Sequence, residues 1–317
     1  MKVFFDTRLM PEKLIKDKVK YPDAVFVEHS LNSENASEYK QADIICVNIF
    51  SKINKAVLDK LPNLKLIATM TTGFDHIDLE ECKNRNIIVT NVPSYSNESV
   101  AEHTLALLFT ISKRIHICNQ EMENSNINMP ELMGFELKGK TIGLIGTGSI
   151  GLHMARLSKG VGMKVIAYDI NKKDVAETIG FQYVELEALL KESDIISLHV
   201  PLNEHTKHLL GKEQLSLMKQ GVVIINTSRG PLIDSEALLE ALNTGKVDFA
   251  GLDVFEEEDF VCANPNSISR KIMTHKKVVA TPHSAFNTRE AVNSLFDVTL
   301  KNIDLFLDGK DVEDRVC

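Results

Sequence analysis

A chain of 317 residues, 44% hydrophobic and 25% charged, has the length for about two domains and the composition of an ordinary globular protein. No apolar run approaches the roughly 20 residues a membrane span needs, and a formal charge of −8 gives no support to nucleic-acid binding, which normally shows as a basic stripe. The five cysteines, Cys46, Cys82, Cys118, Cys262 and Cys317, are odd in number and contain no C-x-x-C pair, which excludes a disulfide framework or zinc site and predicts a reducing, cytoplasmic setting.

From Met1 the chain enters a strand-like run at once, without the charged start and apolar core of a secretory signal. Short apolar runs at Val3–Phe5, Ala24–Val27, Ile44–Val47, Leu64–Ala68 and Ile87–Thr90 alternate with helix-like segments such as Pro11–Lys20 and Asn54–Lys60. That rhythm predicts an α/β domain with a parallel sheet. Thr71–Asp78 (T-T-G-F-D-H-I-D) follows one of these strands, at the end where open parallel sheets place ligands, and the backbone amides of Thr72 and Gly73 can hold a carboxylate there. A tight turn with a helix cap at Asp75 or Asp78 explains the same residues. The turn-rich Asn91–Ser99 then marks a domain boundary near residue 97, followed by a long apolar-periodic helix over Val100–His116. His103 on that helix reads as a packed residue without a role.

Lys140–Gly151 (K-T-I-G-L-I-G-T-G-S-I-G) organises the remainder. Thr141–Ile145 reads as a buried strand and Ile150–Gly160 as a helix, so Gly146, Gly148 and Gly151 fall on a strand-to-helix turn at G-x-G-x-x-G spacing, with Ser149 and Ile150 between them. Gly146 allows the tight turn, Gly148 lets the backbone reach a pyrophosphate at the helix N-terminus, and Gly151 lets helix pack on strand. A second strand, Lys164–Tyr168, ends in Asp169, about 20 residues on, where a carboxylate hydrogen-bonds a ribose hydroxyl. The pattern predicts a dinucleotide site; Asp169 as a mere loop cap is the blander reading.

Further strands at Asp194–Val200, Val222–Thr227, Phe249–Asp253 and Val278–Thr281 precede a helix at Ser294–Leu307. Their C-termini bring Arg229, the glutamates Glu256, Glu257 and Glu258, and His283 towards one edge. A guanidinium pairs in a planar, bidentate way with a 2-keto or 2-hydroxy acid, and histidine is the side chain whose ordinary pKa lies near neutrality. Taken singly, each of these residues has an ordinary reading as an ion pair, a solvated acid or a core-edge histidine.

The motifs T-T-G-F-D-H-I-D, N-V-P-S-Y-S, A-E-H-T, G-L-I-G-T-G-S-I-G, N-T-S-R-G, G-L-D-V-F-E-E-E and T-P-H-S-A-F, in that order, resemble the D-isomer-specific 2-hydroxyacid dehydrogenases over nearly the whole chain. The resemblance implies two doubly wound α/β domains, a Rossmann NAD-binding domain over 98–287 inserted into a flavodoxin-like substrate domain of 1–97 with a C-terminal return over 288–317. It implies NAD as cofactor, Arg229 as substrate clamp, His283 as acid/base and Glu258 as its orienting carboxylate, chosen among its neighbours by the family's spacing. Val200, Pro201, Thr206, Thr227, Ser228 and Asp253 would line the cofactor site. No metal is implied, the partner is a small 2-keto or 2-hydroxy acid, and members of the family usually form homodimers. Tyr95 after V-P and the form T-P-H-S-A-F lean towards the D-lactate type. Hydroxypyruvate or glyoxylate reductase and phosphoglycerate dehydrogenase are the alternatives within the family, and a non-enzymic NAD-sensing scaffold is the alternative outside it. Phe50, Tyr95 and Phe286 form an expected ring wall around the substrate's side chain, favouring small apolar groups.

Overall fold

The computed structural model describes residues 1–8, 12–125, 127–256, 264 and 266–317. They form two compact units, Met1–Tyr95 with Thr288–Cys317, and Ser96–Asn287.

The first unit opens with β1 (Val3–Asp6), α1 (Glu12–Lys18), β2 (Val25–Val27), β3 (Ile44–Val47), α2 (Lys55–Leu58), β4 (Leu66–Thr69), α3 (Leu79–Asn84) and β5 (Ile88–Thr90). All pairings are parallel, in the order β2-β1-β3-β4-β5. β1, β3 and β4 are buried along their whole length, which is why they read as unbroken apolar runs rather than as alternating ones. Phe4, Leu31, Tyr39, Ile45, Leu58 and Ile67 belong to one core cluster of this unit.

The second unit runs through α4 (Asn97–Ser112), α5 (Ile115–Glu123), β6 (Thr141–Ile145), α6 (Ser149–Gly160), β7 (Lys164–Tyr168), α7 (Val175–Ile179), β8 (Gln182–Tyr183), α8 (Leu186–Glu192) and β9 (Ile195–Leu198). It continues with α9 (Lys212–Leu217), β10 (Val222–Asn226), α10 (Ser235–Thr244), β11 (Val247–Leu252), α11 (Ile268–Met273) and β12 (Val278–Ala280). Its parallel sheet has the order β12-β11-β10-β9-β6-β7-β8. The order reverses between β6 and β9, which makes the gap above those two strands the topological switch point where open α/β sheets bind ligands. α12 (Arg289–Leu307) then packs against β4 of the first unit.

Three departures from the sequence reading have local causes. The helix expected over Val100–His116 stops at Ser112, because Phe135 donates its N–H to the Ser112 carbonyl at 2.8 Å and Arg114 takes a left-handed φ of 52°. α12 starts five residues before the expected Ser294, where Thr288 caps it by accepting from the Ala291 N–H. β8 is only two residues long and carries no periodic signal.

Candidate functional site

In the second unit the dinucleotide turn has three glycines with three different surroundings. Gly146 sits at φ +99°, a conformation that favours glycine, and a Cβ there would lie 2.5 Å from the His199 carbonyl oxygen. A Cβ on Gly151 would lie 2.2 Å from the Gly146 carbonyl oxygen, so the helix can pack on the turn only without a side chain. At Gly148 a Cβ would meet nothing within 4 Å. That position faces open space, and it is the N-cap of α6 with no side chain capping it. The first N–H groups of α6, around Ser149, Ile150 and Gly151, therefore point out of the turn without intrahelical acceptors, a ready site for a phosphate.

At the end of β7, Asp169 is held by three hydrogen bonds. Its Oδ2 accepts the Thr147 N–H at 2.6 Å and the Thr147 hydroxyl at 2.9 Å, and its Oδ1 accepts the Asn171 N–H at 2.8 Å. Partial burial works to raise the carboxyl's pKa, but these bonds and the charge of Lys173 outweigh it and hold it below the ordinary value. Because the Thr147 hydroxyl donates to Asp169, Tyr183 Oη, 2.8 Å away, donates to Thr147 and in turn accepts the Lys173 N–H at 3.1 Å. Thr147 and Tyr183 were not legible as site residues: one is an unspecified position inside the glycine motif, the other lies on the short β8.

The loops after β9 and β10 are tied within themselves and to neighbouring elements. Thr206 donates to the Pro201 carbonyl at 2.7 Å and accepts the Asn203 N–H at 2.8 Å, closing the loop that begins at Val200. Thr227 is buried, and its hydroxyl donates to Thr104 Oγ1 at 2.8 Å, since Thr104 itself donates to the Val100 carbonyl. Ser228 donates to the Leu198 carbonyl at 2.7 Å. Asn226 accepts the Ser228 N–H and donates to the Arg229 carbonyl, so the turn carrying the guanidinium is braced on both sides. Gly230 is indispensable to it, because a Cβ there would lie 1.9 Å from the Phe255 carbonyl carbon.

Following β11, Asp253 is fully buried. Its carboxylate is turned into the loop after β12, accepting the Thr281 hydroxyl at 2.5 Å and the N–H groups of Ser284 and Ala285 at 2.9 Å each. Its backbone carbonyl accepts the His283 N–H at 2.8 Å. His283 is half-buried in a left-handed backbone conformation, φ 51°, with Phe286 three residues on. Glu256 accepts from His208 Nε2 at 2.7 Å. Burial works against its ionisation, but bonds from Ser235 and His208 hold its pKa below the ordinary value. Glu257 and Glu258 lie outside the described residues.

In the first unit, Phe50, Thr72, Gly73 and Tyr95 all follow strand C-termini on one edge of the sheet. The Thr72 hydroxyl donates to the Val92 carbonyl at 2.9 Å, Asn91 donates to the Thr72 carbonyl at 2.7 Å, and Thr71 donates to the Gly73 carbonyl at 2.5 Å. These bonds use the turn's carbonyls and hydroxyls. The Thr72 and Gly73 N–H groups have no backbone acceptor among the described residues. Arg8, at the end of β1, was missed in the sequence; its guanidinium carbon lies 5.2 Å from the Phe50 ring centroid. The same rule that singled out the other strand ends would have found it. Beneath it, Asp6 accepts the Arg8 N–H, and Asn48 accepts both the Phe50 N–H and the Ser30 hydroxyl. Burial pushes the Asp6 carboxyl above the ordinary range.

Among the described residues no group of His, Cys, Asp and Glu side chains is arranged to hold a metal ion, and no helix is long and apolar enough to cross a membrane. An open glycine turn, an uncapped helix start and a preset carboxylate fit a dinucleotide.

Residues 105–285 match the family described as D-isomer specific 2-hydroxyacid dehydrogenase, NAD binding domain. The chain is 38% identical to a 2-hydroxyacid dehydrogenase homolog of Haemophilus influenzae, over 96% of this chain and 94% of that one. It is also 38% identical, with the same coverage of each, to a glyoxylate reductase of Thermococcus litoralis. Among solved structures it is similar to a D-lactate dehydrogenase from Aquifex aeolicus complexed with NAD and lactic acid, with a TM-score of 0.88 and 35% identity over 100% of this chain and 99% of that one.

Proposed function

The chain belongs to the D-isomer specific 2-hydroxyacid dehydrogenases, oxidoreductases, and takes NAD as its cofactor; from that premise we propose that it interconverts pyruvate and D-lactate. The observation that supports the reading is that Arg229 and His283 follow the C-termini of β10 and β12 in the same parallel sheet, each on a turn braced by hydrogen bonds. The D-lactate choice draws on Phe286 three residues after His283, on Phe50 and Tyr95 at one edge of the other unit's sheet, and on the lactate-bound relative.

When bound, the nicotinamide supplies a hydride from C4 to the substrate's C2, or takes it back. Arg229 pairs its fork with the carboxylate and the 2-oxygen of the substrate, and stabilises the charge that gathers on that oxygen. In the first unit, the Thr72 and Gly73 amides are donors of the kind that suit a carboxylate. His283 delivers the proton to the 2-oxygen in reduction and removes it in oxidation. Glu258 holds the imidazole; Glu256, tied to His208 and Ser235, is already engaged.

Arg8 favours a second reading. A cation over the Phe50 ring suits a substrate whose far end bears a hydroxyl or a carboxylate, as in hydroxypyruvate or oxaloacetate, rather than a bare methyl. Measuring kcat/KM with NADH for pyruvate, 2-ketobutyrate, hydroxypyruvate, glyoxylate and oxaloacetate tests both. Absence of turnover on every one of them would overturn the assignment of Arg229 and His283.

A homodimer is part of the same proposal. Ile115, Met122, Met129 and Met133 are between 52% and 72% exposed within one stretch of the second unit, and such a concentration of large apolar side chains suits a second copy. The free thiols Cys46, Cys82, Cys118 and Cys317 suit a cytoplasmic, reducing setting.

A further inference from the structure

His103, on α4, makes two contacts that reach the loop of the proposed acid/base. Its Nε2 lies 3.0 Å from Thr281 Oγ1 and 3.6 Å from Asp253 Oδ1. The Thr281 hydroxyl has one proton, and it is donated to Asp253 Oδ1 at 2.5 Å. Oγ1 can then only accept from His103, which makes Nε2 the protonated ring nitrogen. The direction of the chain is therefore fixed: His103 donates to Thr281, Thr281 donates to Asp253, and the Asp253 carboxylate and carbonyl receive the N–H groups of Ser284, Ala285 and His283.

That chain ends on a conformation the backbone does not favour by itself. His283 has φ 51°, and a non-glycine residue in the left-handed region is strained, a conformation sustained only when surrounding bonds over-determine it. Asp253 supplies those bonds, and its carboxylate is fully buried, so a carboxylate turned even slightly away would leave amide donors unmet. Thr281 lies on the same loop and cannot anchor it from outside. Two side chains reach this loop from α4: Ser99, which donates to the Ala285 carbonyl at 2.7 Å, and His103, whose bond acts on the Thr281 hydroxyl and through it on the Asp253 carboxylate.

We propose that His103 is a positioning residue: it aims the Thr281 hydroxyl at Asp253, and through Asp253 sets the backbone conformation that presents the His283 ring. The proposal rests on the reading of His283 as the acid/base. A small displacement of that ring is enough to matter, because an error of about 1 Å in a reacting group costs on the order of a hundredfold in rate.

The test uses the full chain with NADH and whichever of pyruvate, hydroxypyruvate and glyoxylate the wild type reduces fastest. His103→Leu should lower kcat roughly tenfold or more, while KM and the NADH Kd stay within about threefold. His103→Gln, whose amide can still donate to Thr281, should recover most of the rate. His103→Leu combined with Thr281→Val should be no slower than the slower single variant, because both interrupt one chain. Wild-type kcat in His103→Leu, equal losses in the Gln and Leu variants at unchanged thermal midpoint, or losses that multiply in the double variant would each overturn the proposal. If His103→Leu does not fold, Thr281→Val compared with Thr281→Ser carries the same comparison. His283→Asn run alongside separates the two readings: turnover surviving there overturns the acid/base assignment itself, whereas loss there with none in His103→Leu overturns only the relay.

Discussion

Both donors of Thr147, its N–H and its hydroxyl, end on a single oxygen of Asp169, at 2.6 and 2.9 Å. The carboxylate is thus held ionised and oriented by the protein's own donors, leaving on Oδ1, which also accepts the Asn171 N–H, one lone pair for a ribose 2′-hydroxyl. A 2′-phosphate at the same place meets like charge and loses that hydrogen bond, each effect worth on the order of 1 kcal/mol or more. NADH should therefore be preferred over NADPH by roughly tenfold or more in kcat/KM. Lys172 and Lys173 work against this preference, and Thr147→Val should narrow it by releasing Asp169. Equal kcat/KM for the two cofactors in the wild type would count against the role given to Asp169.

His283→Asn should cost about a hundredfold to ten-thousandfold in turnover while NADH binding, followed by fluorescence, survives. Among the glutamates, Glu258→Gln should cost far more than Glu256→Gln, because the Glu256 carboxylate is held by His208 at 2.7 Å and by Ser235. The reverse order of rates would move the orienting role to Glu256.

The glycine turn and the strands around it were readable because each residue type there answers a local demand. Gly146 needs φ +99°, Gly151 needs closeness, and the fully buried strands β3, β4 and β10 need unbroken apolar runs. The α/β class and the dinucleotide fold follow from such demands. What stayed hidden was set by partners distant in sequence. His103 looks like any helical histidine until Thr281, on another element, is found 3.0 Å away. Asp253, read from the family pattern as a cofactor contact, has both carboxylate oxygens bonded within the loop that carries His283. Arg8 becomes relevant only when β1 and β3 pair side by side and bring it over Phe50. No periodicity reports a pairing between side chains of different elements.

Arg229→Lys should be far from conservative. A point ammonium cannot reproduce two parallel hydrogen bonds, and the turn that carries the guanidinium is braced too tightly at Asn226 and Gly230 to move towards the substrate. A loss of a hundredfold or more in kcat/KM, about 3 kcal/mol, is expected, with NADH affinity unchanged. A fall in NADH affinity instead would make Arg229 a cofactor ligand.

Beneath the dinucleotide turn, burial lowers the pKa of His199 to about 4, while its Nε2 bonds Ser197 Oγ at 2.9 Å. An unfolded histidine titrates near 6.5, so between those values the unfolded chain binds more protons than the folded one. The stability contributed by the neutral ring is complete above about pH 6.5 and is lost as pH falls through about 4. His116 and His275, also lowered by burial, act in the same direction. The thermal midpoint should fall by roughly 5 °C or more across that window, and His199→Gln should flatten the fall. An identical slope in the variant would show that His199 is not buried as a neutral ring.

The substrate's far end is decided by the contest between rings and a cation. On the proposed pyruvate reading, a methyl or short alkyl chain buried against aromatic rings gains about 0.8 kcal/mol per carbon, which favours pyruvate and 2-ketobutyrate. A second carboxylate brought against rings alone would lose its hydration uncompensated, and on that ground oxaloacetate should be a poor substrate. Arg8 changes the balance, because its guanidinium lies over the Phe50 ring and Asp6 and Asn48 tie the backbones on either side of that contact. Arg8→Leu should therefore leave pyruvate within about twofold and lower kcat/KM for oxaloacetate and hydroxypyruvate by roughly threefold to fivefold, the size of an exposed ion pair. Phe286→Ala should do the opposite, weakening 2-ketobutyrate more than hydroxypyruvate. If Arg8→Leu reduces all the keto acids equally, Arg8 acts through the fold of its loop rather than on the substrate. If it changes none, the ring wall alone sets the choice and the small apolar acids are the substrates.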